Sequence, residues 1–142
     1  MQTIYLVSCA SKKQSAAAPA KDMYISDLFK EAMTYVESTD SSWFILSAKY
    51  GLLSSEEIIK PYNETLNKMK VQDRRLWADR VLAALKSVLV PGDEVIFFAG
   101  MKYREFLAGP LTQMNIKVVV PLEGLRIGQQ LQRLKRRNHG KT

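Results

Sequence analysis

A chain of 142 residues with 46% hydrophobic and 25% charged content is sized and balanced for one globular domain, with no room for a second. Its single cysteine, Cys9, excludes an intrachain disulfide, and with one histidine, His139, it cannot furnish a zinc-type ligand set; neither metal nor cofactor is expected. No stretch approaches the roughly 18 to 20 apolar residues that span a bilayer, and the start lacks a basic, then apolar, leader, so the expectation is a cytoplasmic protein with no membrane partner.

In chain order, Thr3 to Val7 is a short apolar, β-rich run, as are Trp43 to Leu46, Glu94 to Phe98 and Ile116 to Val120. These are four expected strands, each nearly continuous in apolar residues, as suits a parallel sheet covered on both faces. Helical spacing appears in Asp27 to Glu37 and in Val71 to Leu89, the latter stopped by Pro91-Gly92-Asp93. Lys102 to Leu107 reads as a shorter helix ended by Gly109-Pro110, and Ile127 to Arg137 as a basic amphipathic one. Alternating strands and helices predict a three-layer α/β/α sandwich around a mostly parallel four-stranded sheet, Rossmann-like or uracil-DNA-glycosylase-like. The expected division is a domain over 1–132 and a basic tail over 133–142.

In such sheets ligands sit outside the carboxyl ends of the strands. The first such loop holds Ser8, Cys9, Ser11, Lys12 and Lys13, hydroxyls and lysines suited to an anionic group. Cys9 is either a nucleophile or a packing residue. The densest group follows the second strand: Ser47-Ala48-Lys49-Tyr50-Gly51, then Glu56-Glu57 and Lys60-Pro61-Tyr62. Tyr50 and Tyr62 either stack on a base or cap the core. The third strand leads into Gly100, Lys102, Tyr103 and Arg104, where exposed backbone N–H groups and cations suit phosphate. Glu123, after the fourth strand, is a candidate acid or base, or a partner of Arg126.

No acidic residue follows Glu123, whereas Arg126, Arg133, Lys135, Arg136, Arg137 and Lys141 do, so most of the formal charge of +7 gathers at the C-terminus. Such a run either neutralises nucleic-acid phosphates or is a solvated helix end. Together these features predict a protein directed at DNA, RNA or a nucleotide-like small molecule. Cys9, Lys49, Tyr62 and Glu123 are the catalytic candidates. Ser8, Ser11, Lys12, Lys13, Ser47, Tyr50, Gly51, Gly100, Lys102 and Tyr103 are the binding ones.

Ser8-Cys9 with Lys12-Lys13, Ala20 to Phe29, Trp43 to Leu53 and Lys60-Pro61-Tyr62 resemble a family of small bacterial and phage proteins known as an uncharacterised domain (DUF6884-like). More distantly, Tyr50 to Leu53, Pro61-Tyr62 and Gly92 to Tyr103 resemble the YaaA peroxide-stress proteins, a likeness that implies DNA binding in a positively charged cleft. A weaker likeness joins Ser8 to Lys12 with the strand-end motif of archaeosine synthase, without its proline before the cysteine or its lysine-proline-tyrosine after it. These resemblances, with the fold-level analogy to uracil-DNA glycosylase, imply action on a base or an N-glycosidic bond; the alternative is a non-catalytic DNA- or RNA-binding protein of a stress or phage system.

Overall fold

A computed structural model describes residues 1–8 and 12–139. The first strand, β1 (Thr3–Ser8), buries Ile4, Tyr5, Leu6 and Val7 in succession. Because successive side chains point to opposite faces, burial of all four leaves neither face open to solvent, hence the unbroken apolar run. The chain continues through the short β2 (Ala18–Pro19), the helical turn α1 (Ala20–Met23) and α2 (Asp27–Glu37). Ser26 caps α2 by accepting the Phe29 backbone N–H at 3.2 Å, which starts the helix where the apolar spacing begins.

Beyond β3 (Ser42–Ser47) the structure departs from the expected loop. The chain turns at once into β4 (Gly51–Ser54), pairing antiparallel with β3 and setting Ser47 opposite Gly51. Gly51 takes φ 76°, a left-handed backbone that glycine adopts without steric cost. The Ser47 Oγ accepts the Tyr50 N–H at 3.0 Å across this turn. A run of four residues, only Leu52 and Leu53 apolar, is too brief to show a strand period; pairing with β3 supplies what the pattern lacks.

After β5 (Ile58–Ile59), which pairs with β2, come a 3-10 turn (Leu66–Lys68), α3 (Val71–Lys86), β6 (Glu94–Phe98), α4 (Met101–Gln113), β7 (Lys117–Val119) and α5 (Ile127–His139). The main sheet therefore has five strands, not four, in the order β4-β3-β1-β6-β7. It is mixed: β3, β1, β6 and β7 are parallel and β4 alone runs against them. The helices associate in two pairs, α2 with α5 and α3 with α4.

Two helix boundaries also move. The third helix ends at Lys86, before the expected Leu89. Helix α4 does not stop at Gly109-Pro110 but runs on to Gln113. Leu107 and Leu111, one turn apart on either side of the proline, are both fully buried, and that packing outweighs one missing backbone donor. The basic run belongs to α5, whose residues 127–139 include the 132/133 boundary; Leu134 is fully buried, and Asn138 donates Nδ2 hydrogens to the Glu31 backbone oxygen at 3.0 Å and carboxylate at 2.6 Å.

Asp93 fastens the turn into β6. Its carboxylate accepts the Val90 N–H at 2.9 Å, the Gln2 N–H at 3.0 Å and a Gln2 side-chain N–H at 2.9 Å. The backbone hydrogen bonds from Val90 and Gln2 favour the ionised form and hold its pKa below the usual carboxylate value.

Candidate functional site

From β1 the chain winds outward to β3 and then returns to the other side of β1 to form β6, so the winding direction reverses between β1 and β6. A cavity of ≈ 570 Å³ opens at the carboxyl ends of these two strands. Ser8, the last residue of β1, and Gly100, just past β6, line it, together with Lys12, Asn67 and Tyr103. Its apolar wall comes from Leu28 and Phe29 of α2 and Leu131 of α5. Gly100 is the N-cap of α4 and no side chain caps that helix end; the Tyr103 N–H donates to the Gly100 carbonyl at 2.9 Å, and the positive end of the helix dipole lies beside the cavity. Asp27, at the start of α2, is the only carboxylate lining it among the described residues.

A second cavity of ≈ 440 Å³ shares Lys12 with the first and is also lined by Lys13, Tyr62, Asn63, Thr65 and Lys68. The Lys13 ammonium stands 4.4 Å from the centre of the Tyr62 ring, a cation–π distance. That ring is only 8% exposed, and Tyr50 packs edge-on against it at 5.7 Å. Tyr62 is therefore no platform for a stacked base.

The Ser47 and Tyr62 stretch forms a buried brace. Ser47 is fully buried, and its Oγ donates to the Tyr62 hydroxyl at 2.9 Å. The Tyr62 and Tyr24 hydroxyls are 2.6 Å apart, and Trp77 donates its indole N–H to the Ser47 carbonyl at 2.8 Å. Gly51 is buried in the hairpin, whereas Lys49 is exposed with its ammonium 5.5 Å from the Tyr50 ring. None of Ser47, Lys49, Tyr50 or Gly51 lines either cavity. Tyr103 does reach the first, its hydroxyl accepting the Leu66 N–H at 3.3 Å, and exposed Lys102 donates to the Asn67 carbonyl at 3.2 Å on the same rim.

Glu123 lies apart. It pairs with Arg104 at 3.5 Å, beside a separate cleft between β6 and the turn before α5, so its partner is Arg104 and not Arg126. Arg104 is further held by donating Nε–H to the Ala99 carbonyl at 3.2 Å. Of the two adjacent acids, Glu56 binds Lys21 at 3.0 Å and raises its pKa, and Glu57 accepts the Ser54 N–H at 3.1 Å. On α5, Arg133, Lys135 and Arg136 are exposed, as is Arg126 just before it, while Arg137 is half-buried with its guanidinium 5.5 Å from the Tyr35 ring. Cys9 and Ser11 lie outside the described residues.

The structure thus brings Ser8, Lys12, Gly100 and Tyr103 together, with Lys102 on the rim and Lys13 next door. Asp27, Asn67 and the apolar wall are site residues that the sequence reading missed. Asp27 and Phe29 read as ordinary helix positions, and Asn67 sits in a 3-10 turn with no periodic signal; the winding reversal at β1 that marks their neighbourhood belongs to the strand order, which the sequence does not display.

No curated protein matches the chain. A family model matches it over residues 4–136, nearly its full length, and the chain belongs to that family of unknown function (DUF6884).

Proposed function

We propose that the chain binds a nucleic acid or nucleotide in the cavity between β1 and β6 and acts on its base or N-glycosidic bond. The observation that carries this reading is the composition of that cavity: an apolar wall broad enough for a base, with Lys12, Ser8 and the uncapped start of α4 at its mouth for a phosphate. The three-layer sandwich is part of the proposal, supported by the right-handed crossover rule and the two separate helix pairs. The distant likeness to the YaaA DNA-binding proteins points the same way.

For bond cleavage the site needs a group that stabilises positive charge developing on the sugar or activates water, and Asp27 is the carboxylate at hand. Ser8 and Lys12 hold the phosphate, and Asn67 supplies donors and an acceptor for a base edge. Tyr62 and Ser47 serve the site by bracing the loop that carries Asn67. The test is a set of oligonucleotides incubated with the full chain and assayed for base release through alkaline strand cleavage. Release abolished by Asp27→Asn, with binding retained, is the expected result. Binding without release defeats the catalytic reading and favours the second one, a DNA- or RNA-binding protein, for which exposed Arg133, Lys135 and Arg136 on one docked helix are the specific support.

A further inference from the structure

We infer that the ligand is a nucleotide within a single strand of nucleic acid, whose backbone leaves the larger cavity along the lysine-lined groove beside it; this rests on the reading just proposed. The two cavities share Lys12, and the 3-10 turn Leu66–Lys68 stands between them, giving Asn67 to the larger and Lys68 to the smaller. A phosphate at Lys12 therefore stands at the entrance to a second basic compartment. A free mononucleotide leaves that compartment unfilled, whereas a strand continues into it.

The charged side chains lining this groove are all of one sign. Lys12, Lys13 and Lys68 line or border it, and no described residue lining it is acidic. Lys21, Arg74, Arg104 and Lys117 each have a carboxylate partner, but none of the three groove lysines does among the described residues. Lys13 is positioned instead by the Tyr62 ring, at 4.4 Å, and that of Tyr24, at 6.0 Å. An aromatic face orients an ammonium without neutralising it, so its charge stays available to an anion. The neutral side chains Asn63 and Thr65 add hydrogen-bonding groups. Since the Tyr62 ring is covered, the groove holds backbone without stacking bases, and a base must leave its stack to enter the larger cavity. A base that is already unpaired enters at lower cost than one that must first be drawn from a duplex, which favours a single strand.

The experiment measures affinities of the full chain for nucleoside monophosphates and for single-stranded oligonucleotides of about ten residues. Oligonucleotides are tried as DNA and as RNA, beside the matching duplex, between roughly 50 and 200 mM salt. The wild-type chain should bind the single strand more tightly and with a steeper salt dependence than the monophosphates. Lys13→Gln with Lys68→Gln should flatten the salt slope by about 1.4, weaken the strand roughly 25-fold at 0.1 M salt, and leave monophosphate affinity unchanged. Lys68→Gln alone, which keeps the Lys13 contact with Tyr62, should flatten it by about 0.7 and cost roughly fivefold. The inference is overturned if monophosphates bind and the strand binds no better, if the duplex is preferred, or if Arg133→Gln with Arg136→Gln removes the salt slope while the groove variants keep it. Failure of every nucleotide and strand to bind removes the underlying functional reading as well.

Discussion

Two polar clusters stand near the same edge of the sheet and are assembled in opposite ways. Around Ser47, Tyr62 and Tyr24 the hydroxyls are buried and bonded to one another, with the Trp77 indole and the Tyr50 amide closing the set. Around Ser8, Lys12, Asn67 and Gly100 the polar groups border a cavity, and one helix start has no side-chain cap. The first cluster spends its hydrogen-bonding capacity on the fold. The second sets its polar groups along open space. Density of polar residues in sequence does not separate the two cases; burial and the identity of the partners do.

The largest expected effect tests the brace. Tyr62→Phe removes the acceptor of the buried Ser47 hydroxyl and should cost about 1–3 kcal/mol in denaturant unfolding, with nucleotide affinity of the folded protein nearly unchanged. A stable variant with lost affinity would move Tyr62 into the site. Next, Lys12→Ala should leave stability within about 0.5 kcal/mol of wild type and lower nucleotide affinity about 10- to 100-fold, since a hydrogen bond to a charged group contributes about 1.5–3 kcal/mol. Unchanged titration curves would sever the cavity from phosphate binding.

A smaller effect is expected from acid. Because the folded-state pKa of Asp93 is lowered, its contribution to stability is fully present above the unfolded value of about 3.9 and is lost as pH falls through the folded value. Asp93→Asn should make stability less dependent on pH below about 4, as read by thermal melts across that range. A melt series as steep as wild type would show that another carboxylate carries the acid sensitivity. The smallest change is expected for Lys49→Ala, exposed and outside both cavities, which should alter neither stability nor binding measurably. Loss of binding there would enlarge the site toward the hairpin.

Much of the parallel core was legible in the sequence because Ile4 to Val7 and Val95 to Phe98 are continuous apolar runs that only a doubly covered strand requires. The β4 hairpin was not, since Gly51 to Ser54 is stabilised by its neighbour and too short to carry a period. Helix α4 was cut short because Gly109-Pro110 is a strong local stop, while the burial of Leu107 and Leu111 that overrides it is tertiary. Of the cavity lining, Ser8, Lys12 and Gly100 were singled out by the rule that ligands gather at strand ends. Ser47 and Tyr50 answered to the same rule but had been recruited inward by hydrogen bonds that no spacing displays.

Trp77 joins the two clusters. Its indole N–H donates to the Ser47 carbonyl at 2.8 Å, and its ring meets edge-on, at 5.8 Å, that of Tyr103, which lines the cavity. The chain has two tryptophans, so replacing Trp43 by phenylalanine leaves one emitter, already installed between brace and cavity. Its fluorescence would then report loosening on one side and occupancy on the other, giving this protein an intrinsic optical sensor that needs no attached dye.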